Sequence, residues 1–558
     1  MVTTTIPTDM WMFPAVDKHR LLTEDECRSL EFFHVQTSAC FGGHAGGYLL
    51  HAAGQDAGIR LAAIALGTMH RLVMYREDRS AVYGDRGGEG MQLALQQYNA
   101  AIRRGLAQFL GLEDSGADNA ESGSGSGSAD GILAMCVLFF CFESLQGHYR
   151  AALRHSAAGL RILAQQQQQQ QQWPAGSSNS LLPADVVHSI FATLEAQMLE
   201  VDGQAPLFRS NGNPLLCGDG GHQQQQQQQQ QPLWTLEEAN DRFRLIYNDL
   251  LRLLGSVPSD FGQPRIEGGE EEMARLAEHL LPRYHQVQED LNTWALQFDY
   301  FLTNSFSWDN THRASQQLVR MLHLWHCMVR MILRMGWPPS ESVWDSYLGE
   351  CTTILDLAEE IIATHPRPVE SYSGLSHGAP GEGFISSSSS SSSPSPSPSF
   401  PSSNCPSPSS LPPKHGSSPP APAAHTHTYA RILPRPAYPS SLLSPPSHFS
   451  MSLGIIPALW TIATHCRDSL IRYRAIDLIA RSKRREGVWD SALYSRLARQ
   501  IARREEAAAG IALGAAYTPV DIPPEARVTI HGRLEEGRRA RVTYIKGDVG
   551  YDEEVLCW

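Results

Sequence analysis

Cysteine is sparse in this chain, with ten residues in 558, and no two are spaced Cys-x-x-Cys. That removes the local zinc and thiol-redox signatures that such pairs carry. The nearest pair, Cys136 and Cys141, lies inside the apolar run GILAMCVLFFCF and reads as two reduced, buried thiols of a cytosolic or nuclear protein. Charge is also low, at 18% of residues, with a net charge of −13, so the molecule as a whole has no pull toward nucleic acid. The start, MVTTTIPTDMW, has neither a basic segment nor an apolar core and is no signal peptide. The run from Gly131 to Phe142 is too short to span a bilayer and predicts a buried helix. Catalytic motifs are missing too: there is no His-Glu-x-x-His, no phosphate loop and no dinucleotide fingerprint. The Gly-x-Ser-x-Gly match after Glu121 is compositional, because a nucleophile elbow needs a strand before it and a helix after it. Neither catalysis nor a cofactor is expected.

What the chain does have is low-complexity sequence between helical blocks. Gly and Ser fill Glu121 to Gly131, and glutamine fills Gln165 to Gln172 and Gln223 to Gln231. A Ser/Pro-rich stretch from about Pro366 to Ser447 includes eight consecutive serines. Such compositions bury too little apolar surface to offset chain entropy and are expected to be disordered. Poly-Gln beside a helix can also extend it. The boundaries that follow are a disordered N-terminus (1–18), a helical domain (19–365), a linker (366–448), a helical continuation (449–510) and a tail (511–558).

Between the tracts the apolar residues recur with helical spacing. Leu95, Tyr98, Ile102, Leu106 and Phe109 form one stripe, and Leu153, Ala157, Leu160 and Ala164 another. Leu318, Leu322, Trp325, Val329 and Ile332 form a third, continued by Ile354, Ala358 and Ile361. After the linker come Leu459, Ile462, Cys466, Leu470 and Tyr473. Only RVTIHG (Arg527 to Gly532) and ARVTYIKGD (Ala540 to Asp548) look like strands, enough for a small hairpin. The fold class expected is therefore all-α: an irregular multi-helix array with disordered insertions and a C-terminal β-hairpin.

Three clusters could carry chemistry. His323, His326 and Cys327 share a helical segment and suit metal ligation by residue type, but a polar stripe on an amphipathic helix explains them more simply. His425 and His427 sit in the linker, and Glu270, Glu271 and Glu272 read as a solvated helix start. From Arg467 to Arg504 there are eleven Lys or Arg against four Asp or Glu, densest at Arg481, Lys483, Arg484 and Arg485. A nuclear-import segment is one reading of those four, and the solvated face of two helices is the plainer one. Specific DNA reading is not expected, because no recognition-helix pattern accompanies the charge.

Several strings in order resemble a known family. RSLEFFHVQT (Arg28 to Thr37), AIALGTMH (Ala63 to His70) and ALQQYNAAIR (Ala94 to Arg103) come first. CFESLQGHYRAALRHSAAGLRIL (Cys141 to Leu163), FDYFL (Phe298 to Leu302), REGVWDSAL (Arg485 to Leu493) and IPPEARV (Ile522 to Val528) follow. Their order resembles the regulatory region of fungal Zn2Cys6 transcription factors, in the branch that controls secondary-metabolite gene clusters. The resemblance implies a transcription regulator in the nucleus that works through other proteins, the transcriptional machinery or a related regulator, with no membrane. The competing reading is a helical interaction scaffold outside transcription, in the cytoplasm. The family's first module binds two zinc ions through six cysteines and places a helix in the major groove. Here only Cys27 and Cys40 precede Cys136. The expectation is a regulatory body without that cluster, with zinc entering only through an upstream cysteine set.

Overall fold

Helix signals in the sequence become fourteen α-helices among the described residues. The computed structural model describes residues 22–42, 44–75, 86–109, 129–172, 181–202, 232–256, 269–308, 312–336, 341–364, 448–535, 539–546 and 550–557. In chain order the first seven helices are α1 (Glu24–Phe32), α2 (Ala45–Gln55), α3 (Ala57–Met74), α4 (Arg86–Phe109), α5 (Ala129–Gln146), α6 (Tyr149–Gln172) and α7 (Ala184–Asp202). Then come α8 (Leu236–Gly255), α9 (Gly269–Asn304), α10 (Arg313–Arg334) and α11 (Leu348–Thr364). The last three are α12 (Ile456–His465), α13 (Ser469–Ser482) and α14 (Ser491–Ala508).

Local chemistry sets many of their starts. Thr23 and Glu26 cap α1 reciprocally, Asp56 accepts from the Ile59 amide of α3, and Thr235 accepts from the Glu238 amide of α8. Each cap satisfies an amide that the helix itself leaves without a partner. Tertiary packing then orders the array. α3 lies against α1, α2, α4 and α5, and from α5 each helix to α8 packs on the next. α8 meets α9 and α10, α10 meets α11, and α12 packs on both α13 and α14. α3 and α5 are long and apolar enough to cross a membrane by length and composition, but most of each is buried inside the protein. Cys136 and Cys141 are free and buried on α5, as the sequence suggests, and burial pushes the Cys136 thiol up to about 12.

Four expectations are corrected. The first glutamine tract, Gln165 to Gln172, continues α6 as helix instead of interrupting it. The second tract and the Ser/Pro stretch lie outside the described residues, as does most of the Gly/Ser stretch. On α4 the apolar stripe is not the core face: Leu95, Ile102 and Leu106 are 38%, 37% and 55% exposed, while Ala94, Gln97, Tyr98 and Ala101 point inward. The run from Leu459 to Tyr473 is two helices, because Asp468 caps a new one by accepting from the Leu470 and Ile471 amides, which leaves Leu470 exposed.

The fourth correction concerns strands. The two predicted strands pair as β4 (Val528–Glu535) and β5 (Arg539–Lys546), and β6 (Gly550–Cys557) adds a third antiparallel strand. Asp552, Glu553 and Glu554 disfavour a strand locally, so pairing with β5 decides it. A second sheet joins β1 (His448–Ser450), β2 (Arg484–Glu486) and β3 (Trp489–Asp490), with β1 and β2 parallel and β2 and β3 antiparallel. The tight β2–β3 turn needs Gly487. Its φ is +61°, and a Cβ there would stand 1.8 Å from Gln197 Oε1.

The described residues on both sides of the Ser/Pro stretch belong to one compact unit. Arg474 bridges Asp356 at 2.7 Å and Glu359 at 2.6 Å, and Trp325 Nε1 donates to the Gly454 carbonyl at 2.8 Å. Between these polar ties, α11 packs on α12 and α13. A protease site engineered between residues 366 and 447 is therefore expected to give two fragments that co-elute on size exclusion. Separate peaks under native conditions would contradict the shared core.

Candidate functional site

The four basic residues singled out from sequence do not stand together on the surface. Arg481 lies in the last turn of α13, 46% exposed at its side chain, with Asp477 at 2.6 Å and Glu359 at 3.3 Å. Lys483, just past Ser482, is half-buried at φ +46°, the left-handed cap that stops the helix. Arg484 and Arg485 then enter β2, and both are buried. Arg484 meets Glu486 at 3.4 Å, while Arg485 meets Asp490 at 3.3 Å and also donates to the Leu145 carbonyl at the end of α5. Glu486 in turn accepts from the Ile455 and Ile456 amides at 3.0 and 2.8 Å, an anion at the N-terminus of α12. A receptor that reads an extended basic segment cannot reach Arg484 and Arg485 in this packing. The plainer reading of a solvated helix face also needs correction, because two strands, β2 and β3, separate α13 from α14 and Arg467, Arg472, Arg484 and Arg485 are buried. Along the wider segment Arg467, Arg472, Arg474, Arg481, Arg484, Arg485 and Arg504 each meet a carboxylate.

The histidine cluster on α10 is a packing feature. His323 lies 5.5 Å from the ring of Phe298 and His326 lies 5.7 Å from that of Trp294. Burial, aided by Arg330 and His323, lowers His326 to about 4, so its ring is neutral at physiological pH. Among the described residues no three His, Cys, Asp or Glu are placed to hold a metal ion. Glu270, Glu271 and Glu272 open α9, and His425 and His427 lie outside the described residues.

The richest site is a cavity of about 340 Å³ where both halves of the chain meet. Glu200 of α7, Tyr247 of α8, Trp325 of α10, Trp460 of α12, Trp489 of β3 and Tyr494 of α14 line it. Trp344 and His465 close one side as a stacked pair with ring centroids 4.9 Å apart, and β4 and β5 contribute Ile530 and Val542. The indoles are held in place. Trp489 packs on Tyr494 at 4.2 Å, Trp460 meets the same ring edge-on at 5.1 Å, and Trp325 packs on Tyr247 at 4.6 Å.

Among the described residues Glu200 is the only acidic one lining this space, and no Lys or Arg lines it. Tyr247 Oη donates to its Oε1 at 2.8 Å and Trp489 Nε1 donates to its Oε2 at 2.6 Å. Burial lifts the carboxyl to about 7 against those two hydrogen bonds, with a small further push from Glu486. Glu200 is half-buried as a residue and lines the cavity. A carboxylate offers about four lone-pair directions, and the two donors leave the others free to face a guest.

None of these lining residues was singled out from the sequence as a site. Trp489 sits in the string REGVWDSAL, but Glu200 and Trp489 are 289 positions apart and no spacing rule connects them. The one local signal was polar residues in an apolar helix, since Glu195, Gln197 and Glu200 interrupt FATLEAQMLEV on α7.

Compared with known proteins, the chain is 53% identical to the Aspercryptin biosynthesis cluster-specific transcription regulator of Emericella nidulans, over 99% of this chain and 85% of that protein. No family model matches the chain, and no solved structure matches it.

Proposed function

The chain belongs to the fungal cluster-specific transcription regulators of secondary metabolism, and from that premise we propose that it acts in the nucleus, through protein contacts and without catalysis of its own. Its role in controlling transcription of a biosynthetic gene cluster rests on one observation, the 53% identity that runs over nearly the whole chain. Location and partners are the inference. Regulation of transcription is work done beside chromatin, which supports a nuclear location. The pairing of most of the basic residues from 467 to 504 with carboxylates favours protein partners over direct DNA contact by that segment.

Deleting the gene and measuring transcripts tests the role. Messages from one contiguous set of biosynthetic genes should change several-fold while the rest stay level. An unchanged transcriptome under conditions that switch such clusters on would overturn it. A fluorescent fusion of the full chain checks location, and exclusion from the nucleus would contradict the nuclear part.

A further inference from the structure

We propose that the Glu200 cavity is a binding site for a small lipophilic amine, held as its ammonium by the Glu200 carboxylate with the indoles as walls. The inference rests on the cavity alone, so it stands or falls separately from the regulatory role.

Three observations carry it. The first is charge. Glu200 has only neutral hydrogen-bond donors, Tyr247 and Trp489, and no ion pair among the described residues. Two other buried carboxylates meet arginine, Glu195 with Arg252 at 2.6 Å and Glu505 with Arg472 at 2.6 Å. Glu506, like Glu200, accepts from neutral donors but lines no part of this cavity. An acidic group withdrawn from water gains most from a cation placed against it, and Glu200 borders a cavity that no Lys or Arg lines among the described residues. The second is the wall. Trp325, Trp344, Trp460 and Trp489 all line this one cavity, and a ring face attracts a cation within about 6 Å of its centroid. The third is size. The volume of about 340 Å³ falls at the small end of the ~300–1,000 Å³ range of ligand pockets. An anion would face Glu200 with no cation to offset it, and a sugar would find few polar partners along the indoles. An aryl or alkyl body ending in an amine matches both surfaces.

The test uses the full-length protein and a shape-matched pair, 4-phenylbutylamine and 4-phenyl-1-butanol. Titration calorimetry near neutral pH, with tryptophan fluorescence as a second readout, gives the two affinities. The amine should bind more tightly than the alcohol by at least about tenfold, from the charge pair and the cation–π contacts together. In the Glu200→Gln variant, shown folded by circular dichroism, that preference should collapse to near parity. Equal binding of the two probes by the unaltered protein overturns the proposal, as does failure of the amine to bind at millimolar concentration. Both comparisons need no variant. A preference that survives in Glu200→Gln overturns it as well, because the carboxylate would then play no part.

Discussion

Glu505→Ala is expected to destabilise the protein by about 3–5 kcal/mol, because it strands two buried guanidinium groups. Glu505 is fully buried on α14, with Arg467 Nη2 at 3.1 Å from Oε1 and Arg472 Nη2 at 2.6 Å from Oε2. The Val528 amide donates to Oε1 at 2.9 Å, which ties β4 to the same group. Arg472 also donates to the Ala463 carbonyl of α12 through Nε, so one carboxylate organises α12, α13, α14 and the sheet. Glu506 beside it accepts from Tyr473 and Tyr517, both at 2.8 Å. Urea denaturation followed by circular dichroism measures the loss, and a midpoint within error of the wild type would contradict it. Replacing all three members, Arg467→Met, Arg472→Met and Glu505→Leu, should cost less than Glu505→Ala, since no uncompensated charge remains inside. Acid provides a second check. Burial alone would raise the Glu505 carboxyl, but Arg472 and Arg467 outweigh it and hold it below its usual range. A depressed carboxyl contributes stability that is present above the unfolded value, about 4.3, and lost as pH falls through the folded one. The gap between wild type and Glu505→Ala should therefore narrow in strong acid.

The paired substitution Arg484→Gln and Arg485→Gln is expected to have the second-largest effect, on the order of 3–5 kcal/mol. It leaves Glu486 and Asp490 buried without their cations and removes the donor to the Leu145 carbonyl. Tyr149 Oη, which donates to Asp490 at 3.2 Å, would remain as a neutral partner only. By contrast, Arg481→Gln with Lys483→Gln should stay within about 1 kcal/mol of wild type, because Arg481 pairs at the surface. This contrast also separates import from folding. If Arg481 and Lys483 serve nuclear entry, a fluorescent fusion of the second variant shifts to the cytoplasm with its melting behaviour intact. A fusion that stays fully nuclear removes the import role from these residues. Near-wild-type stability of the first variant would show that the β2 arginines hold nothing together.

Much of the secondary structure was legible because its causes are local. Apolar spacing on α10 and α11 marked helices whose stripes do face the core, with Leu322, Trp325, Val329, Ile354, Ala358 and Ile361 buried. The β-branched runs marked β4 and β5. The α4 stripe failed for a physical reason: α4 packs on α3 and buries the small Ala94 and Ala101, together with Gln97 and Tyr98, while the larger Leu95, Ile102 and Leu106 remain outside. A count of large apolar residues cannot anticipate that choice.

By itself the sequence determined the all-α class, many helix starts and the regulator family, since periodicity, caps and ordered strings are properties of neighbouring residues. Tertiary structure alone decided that Arg484 and Arg485 lie inside while Arg481 stays out. It alone made Glu200, Tyr247, Trp460 and Trp489, from four distant segments, the walls of one cavity. Burial and ion pairing depend on what packs opposite a residue. For Arg485 that is Leu145, 340 positions earlier, and no local pattern carries its identity.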